Sequence, residues 1–86
     1  MPSTVIRRYA WRPGSSVELP ALDIEFVTGR VYRYHGVPGE LMEEMRRWTS
    51  KGAFFNRRIR DYYRHERLRG WPPDEPPEEL AGVPVR

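Results

Sequence analysis

Arg57, Arg60, Arg64 and Arg67 recur at i, i+3, i+7 and i+10 within KGAFFNRRIRDYYRHERLRG. At about 100° per residue, that spacing sets four guanidiniums along one side of a helix over about 15 Å. A guanidinium is planar, permanently charged and bidentate toward phosphate. The chemistry such a stripe offers is polyanion binding, enough for roughly two to four phosphates and steeply dependent on salt. The competing reading is a solvated helix face, with Asp61 pairing to Arg57 and Arg64. A second group is VYRYH, where Tyr32 and Tyr34 flank Arg33. Two aromatics beside a cation can stack on bases, or they can be core residues beside a charge that faces water. Arg33, His35 and Lys51, and also Arg46 and Arg47, would extend the stripe if the helix lies beside this strand.

Catalysis finds less support. Ser50-Lys51 has the composition of a Ser–Lys dyad, but neighbours at a helix start supply neither an oxyanion site nor a desolvated amine. Ser50 reads instead as a helix cap. His35 and His65 lack metal-ligand spacing. The chain has no cysteine, which excludes disulfides, thiolate chemistry and zinc–thiolate sites. Asn56 heads the arginine segment and can bond a base or, as a structural group, the hairpin backbone. The expectation is a protein that is not an enzyme and uses no metal or cofactor.

The elements that must position these residues follow from the apolar pattern. Residues 4–11, TVIRRYAW, are β-branched and aromatic and stop at Pro13-Gly14, a strand. Residues 22–35 form a hairpin: Leu22, Ile24 and Phe26 alternate with Asp23 and Glu25, and the alternation resumes after Thr28-Gly29. A two-residue loop would set Arg33 against Ile24. A three-residue loop with Gly29 in the left-handed region aligns Leu22, Ile24, Phe26, Tyr32 and Tyr34 on one face, and Asp23, Glu25, Arg33 and His35 on the other. The second register satisfies both faces and turns both tyrosines toward the core side. An exposed stacking platform remains the alternative for them.

Pro38 suits the first turn of a helix over 38–48, whose Leu41, Met42, Met45 and Trp48 form one apolar face. A second helix over 51–68 presents Phe55, Ile59 and Tyr62 inward and ends at Gly70. The predicted core is Leu22, Ile24, Phe26, Tyr32, Tyr34, Leu41, Met45, Trp48, Phe55, Ile59 and Tyr62. The fold class is α+β: a three-stranded antiparallel sheet packed against two C-terminal helices.

Size and charge bound the rest. Eighty-six residues make one domain, with no room for a deep cleft. No apolar run follows MPSTVIRR as a signal peptide would require, and none reaches the length of a membrane span. A soluble cytoplasmic protein without membrane contact is expected. Residues 1–69 carry 14 basic and 8 acidic side chains, whereas residues 70–86 carry one Arg and four acids. The chain therefore divides into a basic body, 1–69, and an acidic Pro-rich tail, 70–86, expected to be extended or disordered. Trp71 is the tail residue expected to dock. Asp74, Glu75, Glu78 and Glu79 can either be solvated or fold over the arginine helix.

The run from Tyr32 to Leu68 resembles the KTSC family, a short domain named for its place at the C-terminus of some lysyl-tRNA synthetases and also found as a stand-alone bacterial or phage protein. The carrying residues are YRY at 32–34, GVP at 36–38 and SKGAFFNRRIRDYY at 50–63, and LDIEFVTGRVYRY is similar to the family's hairpin. The link between first strand and hairpin, YAWRPGSSVELPALD, is longer than in the family. By analogy with the synthetase context, the resemblance implies contact with RNA. Two functions are therefore expected. One is a nucleic-acid-binding module, for RNA or else DNA, through Arg57, Arg60, Arg64 and Arg67, with Arg33, Lys51, Tyr32 and Tyr34 beside them. The alternative is a protein-interaction adaptor with no affinity for nucleic acid.

Overall fold

The alternation of Leu22, Ile24 and Phe26 with Asp23 and Glu25 produces strand β2 (Ala21–Phe26), the second strand of an antiparallel sheet ordered β1-β2-β3-β4. A computed structural model describes residues 5–73. β1 is Ile6–Arg12, β3 is Val31–His35 and β4 is His65–Leu68. β2 pairs with β3 so that Ile24 faces Tyr32 and Leu22 faces Tyr34. The Phe26 N–H donates to the Arg30 carbonyl, leaving residues 27–29 as a three-residue loop with Gly29 at φ +95°. This is the register the two-faced pattern predicts.

β1 adds a device the sequence conceals. Its register against β2 shifts between Ile6 and Arg8, which makes Arg7 an extra residue, a bulge. The bulge reverses the alternation, so that Ile6 packs against the same core as Tyr9 and Trp11. The Trp11 indole N–H donates to the Val37 carbonyl at 2.8 Å, tying this edge strand to the entry of the first helix.

Helix α1 (Gly39–Arg47) is capped by Pro38 and buries Leu41, Met42 and Met45. Helix α2 (Lys51–Phe54) starts at Ser50, whose hydroxyl accepts from the Ala53 N–H at 3.1 Å, the capping role expected of it. α2 continues directly into a π-helical segment, Phe55–Ile59. These helices cover one face of the sheet. Ten of the eleven predicted core residues lie in or against the resulting cluster.

The eleventh, Tyr62, corrects the prediction, as does the second helix itself. The helix expected over 51–68 ends near Arg60, and its last turn is closed by the Tyr62 N–H on the Ile59 carbonyl at 3.0 Å. Residues 65–68 form a fourth strand rather than two more helical turns. No Gly or Pro marks the break. What fixes it is tertiary: β3 would otherwise present a row of open N–H and C=O groups, and β4 satisfies them. Tyr62 is left in the connecting turn at 71% exposure, and Tyr63 packs on the core in its place.

The second face of the sheet carries charge. Asp23 is wholly buried. Arg33 grips it with two bonds, Nε to Oδ1 at 2.7 Å and Nη2 to Oδ2 at 3.2 Å, and Arg12 Nη2 reaches Oδ2 at 3.2 Å. Arg8 pairs with Glu25 and sits 5.2 Å from the centre of the Trp71 ring. Arg33 also donates to the Pro73 carbonyl at 3.3 Å. Residues 71–73 thus lie against this face. The acids at 74, 75, 78 and 79, expected over the arginine helix, fall outside the described residues. Among the described residues, no helix is long and apolar enough to cross a membrane.

Candidate nucleic-acid interface

The four arginines of the predicted stripe do not share one helix. Arg57 lies in the π segment and Arg60 just after it, Arg64 precedes β4, and Arg67 lies within β4. The π turn is defined by the Arg60 N–H on the Phe55 carbonyl at 2.9 Å, an i to i+5 bond. It and the strand that follows replace the 3.6-residue period on which the stripe was built.

A different arrangement gathers some of the same residues. β4 sets His65 opposite Tyr34 and Arg67 opposite Tyr32. The His65 ring stacks on Tyr34, with centroids 5.1 Å apart and planes at 29°, and meets Tyr32 edge-on at 5.7 Å. Tyr32 is half-buried, while His65 and Arg67 are exposed. Arg60 lies close enough to act electrostatically on Tyr34 and bonds Asn56 Oδ1 at 3.4 Å. The result is an aromatic strip on the helix side of an edge strand, bordered by Arg60 and Arg67.

Three candidates take other places. Tyr34 is only 5% exposed, with its ring edge-on to Phe55, so it supports His65 and cannot itself receive a base. Arg33 is on the opposite face, held by Asp23, because strand alternation sends odd residues of β3 there. Lys51 spends its ammonium on the Arg46 and Trp48 carbonyls at 3.1 and 2.7 Å, closing the end of α1. The sequence reading missed His65 as part of the strip. Its role depends on a strand that no local pattern announces.

Part of the charge is paired. Glu25, Asp23, Glu43, Glu44 and Glu66 engage Arg8, Arg12 with Arg33, Arg46, Arg58 and His35 respectively. Arg58 also lies over the Phe54 ring and so anchors the π segment to α1. Arg57, Arg60, Arg64 and Arg67 are all exposed. Among the described residues, none of these four forms an ion pair with a carboxylate, and the same holds for the exposed Arg7, Arg30 and Arg47.

The matched region contains the hairpin, both helices and the turn that carries Arg60. The family model of the KTSC domain matches residues 2–63. The chain belongs to the KTSC domain family. No curated protein matches it. In this KTSC domain the hairpin, α1, α2 and the π segment fall within the matched residues, while β4, with His65 and Arg67, follows them.

Tyr34 supplies a test of the strip's packing. Burial pushes its phenol up to about 12, helped by Tyr32 and opposed by Arg60. The folded value stands above the unfolded one near 10. Tyr34's contribution to stability is therefore complete below about pH 10 and is lost as pH rises from there through about 12. An ultraviolet titration of phenolate should show a tyrosine ionising near pH 12 that disappears in Tyr34→Phe, and that variant should lose stability less steeply above pH 10.

Proposed function

We propose that this KTSC domain is a non-catalytic cytoplasmic module that binds nucleic acid, RNA foremost, through Arg57, Arg60, Arg64 and Arg67 around the Tyr32–His65 strip. The supporting observation is the strip with its border: Arg67 pairs across from Tyr32 beside the stacked His65, and among the described residues Arg57, Arg60, Arg64 and Arg67 are exposed and form no ion pair with a carboxylate. Phosphates are the partners such groups suit best. Arg60 and Arg67 border rings on which a base can lie, and Arg57 and Arg64 widen the charged rim.

Binding to pooled RNA and DNA, followed by fluorescence anisotropy across a salt series, tests the proposal. With roughly two to four phosphates neutralised, log affinity should fall against log salt with a slope of about −1.4 to −2.8 for single strands. Arg60→Ala combined with Arg67→Ala should weaken binding about tenfold for all sequences alike and flatten the slope by about 1.4. No binding of either nucleic acid at about 50 mM salt would sink the proposal and leave the adaptor reading standing.

A further inference from the structure

Beside the aromatic strip, the turn that ends the π segment opens a cleft of about 360 Å³. Its walls are Leu19, Tyr62, Tyr63 and Arg64, with His35 at its side. Leu19 is 66% and Tyr62 71% exposed, large apolar surface that contributes nothing to the core. Tyr63, by contrast, is partly buried and packs against the core. Gly36, at φ +88°, turns the chain behind these walls, and a Cβ there would stand 3.8 Å from Tyr63 and 4.0 Å from Leu19. Arg64 directly precedes His65, and its carbonyl accepts from the His35 N–H at 2.8 Å, so Arg64 belongs both to the cleft and to the proposed interface. Asp61 shares the turn but makes no ion pair with Arg64 among the described residues.

We infer that this cleft accepts one unpaired nucleobase between Leu19 and the Tyr62–Tyr63 wall, with Arg64 on the adjacent phosphate, so that the interface selects single-stranded over double-stranded RNA. The inference rests on the proposed nucleic-acid binding and adds the form of the ligand. An apolar, aromatic-walled slot rimmed by one cation matches the chemistry of a base and its phosphate. A base held in a duplex cannot reach it, because its faces are stacked and its edges paired. A purely electrostatic surface would show the opposite preference, since a duplex carries the denser charge.

The experiment uses the full chain and a fluorescein-labelled oligouridine of about 12 nucleotides, alone or annealed to its complement, at about 50 mM salt. The single strand should bind about tenfold more tightly than the duplex. Tyr62→Ala should bring the single strand down to the duplex without changing duplex binding, and Tyr62→Phe should keep the advantage. Tyr62 is exposed, so an unchanged melting curve separates this result from misfolding. Equal binding of the two forms, or an advantage that survives Tyr62→Ala, overturns the inference alone. Failure of both forms to bind overturns the proposed function and this inference with it.

Discussion

Replacing Asp23 by alanine is expected to destabilise the protein by about 3–5 kcal/mol, read as a lower urea midpoint at an unchanged slope. Asp23 lies on the second sheet face, wholly buried, with Arg33 and Arg12 each reaching it through two nitrogens. Its removal leaves two cations crowded together with their shared counterion gone, and Arg33, whose side chain is only 20% exposed, cannot swing into water without releasing the Pro73 carbonyl. A domain of this length has roughly 4–13 kcal/mol in all, so the variant stands near the limit of folding. The loss measures the harm of breaking a buried cluster rather than its net worth, because desolvating three ions offsets most of their attraction. A triple variant with Asp23→Leu, Arg12→Met and Arg33→Met should accordingly recover much of the stability. If Asp23→Ala unfolds at the wild-type midpoint, the face is wetter than its burial implies and the account is wrong.

Phe54→Ala should cost a similar amount, about 3–5 kcal/mol. Phe54 has no exposed surface. Its ring meets Trp48 edge-on at 5.3 Å, and the Arg58 guanidinium lies 5.8 Å from its centre. Truncation opens a cavity where α1, α2 and the π segment meet, and it loosens Arg58, whose other contact is Glu44 at 2.8 Å. Because α2 is a single turn, it cannot close over the void alone. Calorimetry should show a lower transition temperature, and Phe54→Leu should restore much of it, since leucine refills most of the volume. A loss below about 1 kcal/mol, of the order of a single buried methylene, would mean that the helices collapse onto the sheet without this ring.

The sequence carried the hairpin in full. Leu22, Ile24 and Phe26 against Asp23 and Glu25 leave one loop length that satisfies both faces, and Asp23 meets Arg33 across the strands as that register requires. Most of the helix-facing core was legible for the same reason; Tyr62, expected inward, is exposed, and Phe54, Val37 and Trp11 join the core because of how the helices dock. β4 was hidden. His65-Glu66-Arg67-Leu68 has no β-branched residue and no strong alternation, and in isolation it favours helix. It becomes a strand because β3 offers it partners. The candidate site inherited that blind spot: arginines assigned to one helical stripe divide between a π turn and an edge strand, and His65 enters through a pairing no local pattern encodes.

The recognisable family segment ends at residue 63, two residues before β4 begins at His65. The portable unit of this protein is therefore longer than its signature. Excising the signature alone would strip the outer border from β3, uncover Arg8 and Arg33 where Trp71 and Pro73 rest, and leave a self-templating margin open to sticking between copies. Grafting or fusing this domain into another protein calls for a cut beyond Pro73, and an aggregating fragment trimmed at the signature would report on the cut rather than on the fold.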